Sequence, residues 1–305
     1  MTVRLSVRTA VWRSHIAQTA MSVDGLVPVV KGNGYGFGRL RIAALAAEFA
    51  DTVAVGTVHE LDGLPDDIDV VVLTPTLQAP ATAAPILTVG RREHIDALSG
   101  WSGRVIVKLV SDLRRYGGDP GLVDAASAAG LDVVGVAIHP PIAGTDDERI
   151  AQLVPTIERV PADLAVWLSH LDPGRMRDLP DSHVYRLRLG TSLWHGDKSA
   201  LQLDADVLDV RRVRAGEPAG YRLGLVGGDG HLVMIGAGTA NGVTPLADGR
   251  SPFHFGRTRL ALHESPHMHT SMGFVPDGSP LPSVGDWVDV QRPLHMTAVD
   301  DYRWL

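Results

Sequence analysis

The chain has 305 residues, 45% of them hydrophobic and 21% charged, enough to build two packed domains without help from a membrane. Its formal net charge of -7 argues against nucleic acid and anionic membranes as partners. With no cysteine it has no disulfide framework, no thiolate metal ligand and no thiol nucleophile. The N-terminal stretch M-T-V-R-L-S-V-R lacks the apolar core of a signal peptide, and no apolar run reaches membrane-spanning length. A cytoplasmic enzyme is the expectation.

A helical pattern over residues 6–23 comes first. Short apolar runs then follow at 27–30, 52–56, 69–73, 85–89, 105–110, 132–138, 165–169 and 185–189. Helical patterns fill most of the gaps, at 39–50, 91–98, 121–129 and 146–160. Apolar strands alternating with helices imply a parallel sheet, and eight of them imply a closed (β/α)8 barrel, the TIM-type α/β fold. After Gly196 the texture changes. Strand patterns at 200–213, 221–226, 231–235, 258–263, 267–275 and 287–290 are separated by glycine and proline turns, with no long helix. The expected division is a barrel over 1–198 and a C-terminal all-β domain over 199–305, with the boundary near 197–202.

The stretch V-P-V-V-K-G-N-G-Y-G-F-G, residues 27–38, organises this plan. A buried strand ends in Lys31, and four glycines follow within seven residues. Glycines there mean backbone that turns sharply or approaches something closely. The C-terminal mouth of a parallel barrel is where such folds keep their chemistry, and a partly desolvated lysine suits Schiff-base formation. Other strand ends carry Lys108, Arg115, His139, Ser169, His170 and Arg188, the last followed by Gly190 and Thr191. Backbone N–H groups of glycine loops at this face bind phosphate. A phosphate at one end of a ligand and a lysine at the other suit pyridoxal phosphate.

The sequence resembles the alanine racemase family, the barrel-type pyridoxal-phosphate enzymes. V-V-K-G-N-G-Y-G-F-G is similar to that family's lysine motif. V-K-L-V-S-D-L-R-R-Y-G, G-V-A-I-H and R-L-G-T resemble its further barrel motifs, in order. R-R-V-R-A-G-E-P-A-G-Y, G-A-G-T-A-N-G-V and H-M-H-T-S-M-G-F-V with V-G-D-W-V-D-V resemble its β-domain segments. The resemblance implies that Lys31 binds the cofactor and acts as one acid/base. Tyr35, Ser169, Gly190 and Thr191 would hold the phosphate, with His170 an alternative to Ser169. Arg188 would donate to the pyridine nitrogen and His139 would orient it. An arginine at that nitrogen keeps its proton, which weakens the cofactor's electron sink and favours simple proton exchange. Arg115, supported by Lys108, would meet the cofactor's phenolic oxygen or the substrate carboxylate, and Met268 would lie near that carboxylate. A small amino-acid substrate and a head-to-tail homodimer are also implied.

One departure stands out. The family's second base is a tyrosine in a G-Y-A-D-G segment, where this chain has Thr239, with Asn241 in place of the aspartate. A threonine hydroxyl is too weak an acid for that task, so His267 and His269 become candidates for the missing base. The spacing of His263, His267 and His269 invites a metal, but zinc enzymes of this fold pair a histidine with a cysteine, so none is expected. The leading expectation is a racemase-like reaction at an α-carbon. The alternatives are a decarboxylase, a D-amino-acid lyase, or a non-catalytic cofactor-homeostasis protein.

Overall fold

The computed structural model describes residues 2–305. They form two compact units. One is His15–Gly196; in the other, residues up to Ser14 join Asp197–Leu305. The chain opens with β1 (Val3–Val7), followed by α1 (Thr9–Met21).

In the first unit the strands are β2 (Leu26–Pro28), β3 (Thr52–Val55), β4 (Asp69–Val72), β5 (Ile86–Val89), β6 (Arg104–Lys108), β7 (Asp132–Ala137), β8 (Ala165–Ser169) and β9 (Tyr185–Leu189). All eight coincide with the apolar runs. They pair in parallel in the order β2-β9-β8-β7-β6-β5-β4-β3. A bridge between Val29 and Ala54 joins the two ends, with the Val30 amide donating to the Ala54 carbonyl at 2.8 Å. The fold is therefore a parallel (β/α)8-type barrel. Its interior is filled by Val27, Val29, Ala54, Val71, Ile86, Ile106, Ala137 and Trp167, one or two from each of seven strands. Gly135 makes room for the largest of these, because a Cβ there would come 2.8 Å from Trp167 Nε1.

The helical layer is incomplete. α2 (Arg39–Ala46), α3 (Arg92–Asp96), α4 (Leu122–Ala128), α5 (Asp146–Ile157) and α6 (Thr191–His195) follow β2, β5, β6, β7 and β9. Between β4 and β5 the prolines at 75, 80 and 85 leave irregular chain. After β3 there is only a 3-10 turn, Val58–Glu60. The best-capped helix is α5. The Thr145 side chain accepts from the Glu148 amide while Glu148 reaches back to Thr145, and three acids complement the first turn.

The second unit holds β10 (Leu201–Val213), β11 (Pro218–Ala219), β12 (Gly224–Leu225), β13 (Gly230–Ile235), β14 (Phe253–Phe255), β15 (Thr258–Arg259), β16 (Ala261–Leu262), β17 (Ser271–Pro276), β18 (Trp287–Val290) and β19 (Asp301–Trp304). The long β10 is its spine, pairing antiparallel with β1, β13 and β18. β1 also pairs in parallel with β19.

Several local expectations change. A helix starting at residue 6 gives way to β1, because Val3, Leu5 and Val7 alternate with Arg4 and Ser6 and are fully buried. The first strand of the chain thus lies in the β-rich unit, whereas a barrel spanning 1–198 would have included it. The strand expected at 221–226 shrinks to β12. Gly220 and Leu223 adopt positive φ, which turns the chain back on β11. The strand expected from 267 starts only at Ser271, since His267 donates its amide to the Thr270 carbonyl at 2.8 Å and closes a turn.

Candidate active site

Side chains alternate across a strand, so residues two apart share a face. Ile106, Ala137 and Trp167 face the barrel interior. Two residues further on come Lys108 and Ser169, the last residues of β6 and β8, and His139, just past the end of β7. Lys31 follows Val29 by the same step. The strand period thus lifts an apolar layer into a polar one at the barrel mouth.

Arg188 is the centre of that polar layer. It is buried, with Nε donating to the Leu168 carbonyl at 3.2 Å and Nη2 to the Ile138 carbonyl at 3.3 Å. Nη2 also lies 3.4 Å from Ser169 Oγ and 3.5 Å from His139 Nδ1. Burial lowers the Arg188 guanidinium to about 10, still charged at neutral pH. His139 and Ser169 share a short hydrogen bond. Burial, and then the nearby positive charge of Arg188, pushes the His139 imidazole down to about 2, so it stays neutral. The His170 ring packs against it at 4.4 Å between centroids, and its Nδ1 meets the Pro140 carbonyl at 2.9 Å. Ser169 therefore belongs to the Arg188–His139 group.

Lys31 keeps access to solvent, yet strand ends crowd it. Burial, then the Arg115 and Arg188 guanidiniums, hold its ammonium below the usual lysine range, while the Glu60 carboxylate pulls the other way. Lys108 is buried, and burial with Arg188 and Arg115 lowers it to about 7. Arg115 reaches the Tyr116 hydroxyl at 3.5 Å, and its guanidinium lies 5.0 Å from that ring's centroid. The Tyr116 hydroxyl donates to the Leu73 carbonyl at 3.3 Å.

Tyr35 and Gly190 meet on another side of the mouth. A Cβ on Gly190 would lie 2.1 Å from the Tyr35 hydroxyl, so only glycine lets the tyrosine approach the turn into Thr191. Tyr35 holds a positive φ of 55°, unusual for an aromatic residue. His195 Nε2 donates to its carbonyl at 2.6 Å and supports that conformation. Burial raises the Tyr35 phenol to about 12, so its proton stays on as a donor. Glu60, Tyr116 and His195 carry no local pattern that points to the mouth; their roles emerge only from contacts with distant segments.

In the β-rich unit, two other expected segments lie side by side. The Thr239 amide donates to the His267 carbonyl and the Ala240 amide to the Met268 carbonyl, both at 2.8 Å. Thr239, Met268 and His269 are exposed. Asn241 is buried and structural: its Nδ2 donates to the Ala298 carbonyl at 3.2 Å and to Asp300 Oδ2 at 3.1 Å. His267 Nε2 meets Glu264 Oε1 at 2.6 Å, and the Tyr221 ring lies edge-on at 4.5 Å. Burial alone would raise the Glu264 carboxyl, but hydrogen bonds from His267 and the Tyr221 amide hold it below the usual range. His263 instead bonds the Ala219 carbonyl at 3.1 Å. Among the described residues, no three His, Cys, Asp or Glu side chains converge as metal ligands. Among them, too, no helix is long and apolar enough to cross a membrane.

Solved structures match the fold along this chain. Alanine racemase from Bartonella henselae, solved with covalently bound pyridoxal phosphate, superposes with a TM-score of 0.75 at 17% identity, over 100% of both chains. Biosynthetic alanine racemase from Pseudomonas aeruginosa gives 0.71 at 18% identity, over 100% of this chain and 99% of its own. The Bacillus anthracis enzyme with bound L-Ala-P gives 0.74 at 17% identity, over 95% of this chain and 84% of its own. At these identities the likeness speaks for the fold. No curated protein matches the sequence. The family profile described as alanine racemase, N-terminal domain, matches residues 12–196, from within α1 to the end of the barrel, and so takes in Lys31, Arg188 and Gly190. The chain belongs to the alanine racemase family.

Proposed function

We propose that the protein is a cytoplasmic pyridoxal-phosphate-dependent enzyme acting at the α-carbon of a small amino acid, with a racemase-like reaction as the leading chemistry. The observation that carries this reading is the barrel mouth. It sets a lysine with lowered proton affinity beside a buried Arg188–His139 pair and a Tyr35–Gly190 cradle too tight for any other residue at 190. These residues fit the cofactor. Tyr35, Gly190 and Thr191 would take its phosphate, and Ser169, bonded to His139 and 3.4 Å from Arg188, would support the ring-nitrogen end, with His170 packed on His139 beside it. When bound, pyridoxal phosphate takes an amine through its aldehyde and makes the α-proton acidic.

Lys31 would bind the cofactor and then move a proton on one side of the α-carbon. Arg188 would face the ring nitrogen and keep its own proton there, because its lowered pKa of about 10 still lies well above neutrality. His139 stays uncharged and accepts hydrogen bonds, which fixes the guanidinium without adding a second positive charge. Arg115, braced by Tyr116 and accompanied by Lys108, would anchor a carboxylate.

The opposite side of the α-carbon needs its own acid, and Thr239 cannot serve. We assign that role to His267 of a second copy, ahead of His269, because Glu264 orients the His267 ring while His269 stands exposed on the turn. Met268 would approach the substrate carboxylate from the same turn. A head-to-tail homodimer accounts for the exposed Tyr221, Leu223, Leu225 and Met268, 67–85% accessible, beside this segment. A second reading, one-sided chemistry such as decarboxylation, is favoured by Thr239 itself.

The test is incubation of the protein and pyridoxal phosphate with a panel of amino acids in heavy water, followed by chiral analysis. Deuterium at the α-carbon of both enantiomers, lost in Lys31→Ala and strongly reduced in His267→Ala, supports the two-sided reading. Carbon dioxide release without racemisation selects the second. Borohydride trapping of the cofactor on a lysine other than 31 sinks both.

A further inference from the structure

Glu60 stands outside every role assigned so far, and its placement is specific. It closes the 3-10 turn Val58–Glu60 after β3. Its carboxylate accepts the Gly56 amide at 2.7 Å through Oε2 and the Gly32 amide at 3.2 Å through Oε1. Gly32 follows Lys31 directly, and Gly56 follows the neighbouring strand β3. A Cβ on Gly56 would lie 3.2 Å from each carboxylate oxygen and 3.4 Å from the Lys31 Cβ. The acid and the root of the lysine side chain thus converge on the space that glycine leaves open.

We propose that Glu60 is the positioning residue of Lys31: it clamps two amides next to the lysine, those of Gly32 and Gly56, and sets a carboxylate charge against the amine. The charges that face Lys31 from other elements are positive, Arg115 from the loop after β6 and Arg188 from β9. His170, at the end of β8, also feels the lysine, and burial there favours its neutral form. A lysine beside two guanidiniums and partly desolvated loses its hold on a proton. An acid/base must both take a proton and give it back, so it needs proton affinity near the working pH. Glu60 supplies the opposing charge, and its two amide bonds keep that charge in place. Hydrogen bonds from N–H groups to a carboxylate are of the stronger, charge-assisted kind.

This inference rests on Lys31 being the reacting amine, but its test does not need the cofactor. Wild-type, Glu60→Gln and Glu60→Asp proteins are labelled with acetic anhydride from neutral to alkaline pH, and the Lys31 and Lys108 peptides are quantified by mass spectrometry. In Glu60→Gln the half-labelling point of Lys31 moves to lower pH, while that of Lys108 stays. Glu60→Asp keeps the charge and stays close to wild type. Amide hydrogen exchange in the wild-type protein adds a measurement free of any variant: Gly32 and Gly56 exchange slowly. An unchanged Lys31 curve in Glu60→Gln, equal shifts in the Gln and Asp variants, or fast exchange at both glycines overturns the proposal. Trapping of pyridoxal phosphate on another lysine would overturn the reading of Lys31 and leave the labelling curves to judge Glu60.

Discussion

Replacing Gly190 by alanine tests the cradle directly. The added methyl would lie 2.1 Å from the Tyr35 hydroxyl oxygen and 2.6 Å from its Cζ. Non-bonded heavy atoms settle at roughly 3.5–4.0 Å, so the ring must retreat by more than about 1 Å. Its backbone gives little help, since Tyr35 already sits at φ 55° with its carbonyl bonded to His195 at 2.6 Å. Overpacking of this kind costs about 1–3 kcal/mol. At about 1.4 kcal/mol per decade, that is roughly a 5- to 150-fold loss of affinity for pyridoxal phosphate if the phosphate uses this turn. Spectrophotometric titration with the cofactor measures the affinity, and urea unfolding measures the stability. Tyr35→Ala removes the obstacle, so the two changes are expected to be strongly non-additive in a double-mutant cycle. Wild-type affinity and unfolding in Gly190→Ala, or plain additivity with Tyr35→Ala, would refute the argument.

Two further outcomes concern charge and buried hydrogen bonds. Lys108 falls from its usual 10.5 to about 7 in the fold, so at lower pH its buried amine carries a charge that the unfolded chain bears without cost. The destabilisation is complete below about pH 7 and disappears as pH rises towards the unfolded value, so Lys108→Met stabilises most on the acid side of that window, as denaturation midpoints taken across pH will show. In the β-rich unit, Asn241→Ala removes the bonds to the Ala298 carbonyl and to Asp300, which keeps the Val3 amide at 2.8 Å, and is expected to cost about 1–3 kcal/mol in urea unfolding. Asn241→Asp sets one carboxylate against another and is expected to cost at least as much in the same assay.

The barrel was legible because each of its strands is a compact apolar run bounded by turn residues, and buried parallel strands have no other way to read. Lys31, Arg188 and Gly190 were legible because they sit at the ends of those runs. Glu60 was not. Nothing in T-V-H-E-L-D marks it, and its meaning lies in two amides, one of them 28 residues away. His195 and Tyr116 were missed for the same reason. β19 was hidden because Asp301–Trp304 is only four residues long, has no aliphatic residue and stays largely exposed. The turn at 267–270 defeated the strand pattern around it, because hydrogen bonds to the Thr239 and Ala240 amides decide that backbone from outside the segment.

The pairing of β1 bears on the order of events at the ribosome. Val3 pairs with Ala205, and Leu5 with Leu203 on one side and Tyr302 on the other. β1 must therefore wait for partners synthesised some two hundred and three hundred residues later. Every strand of the barrel can find its neighbours meanwhile, since their sequence separations are far shorter apart from the closing seam between β2 and β9. During that interval Val3, Leu5 and Val7 form a bare apolar edge on the nascent chain, the kind of segment that pairs wrongly or recruits a chaperone. Slow closure of contacts this distant makes docking of β1 the late step of folding.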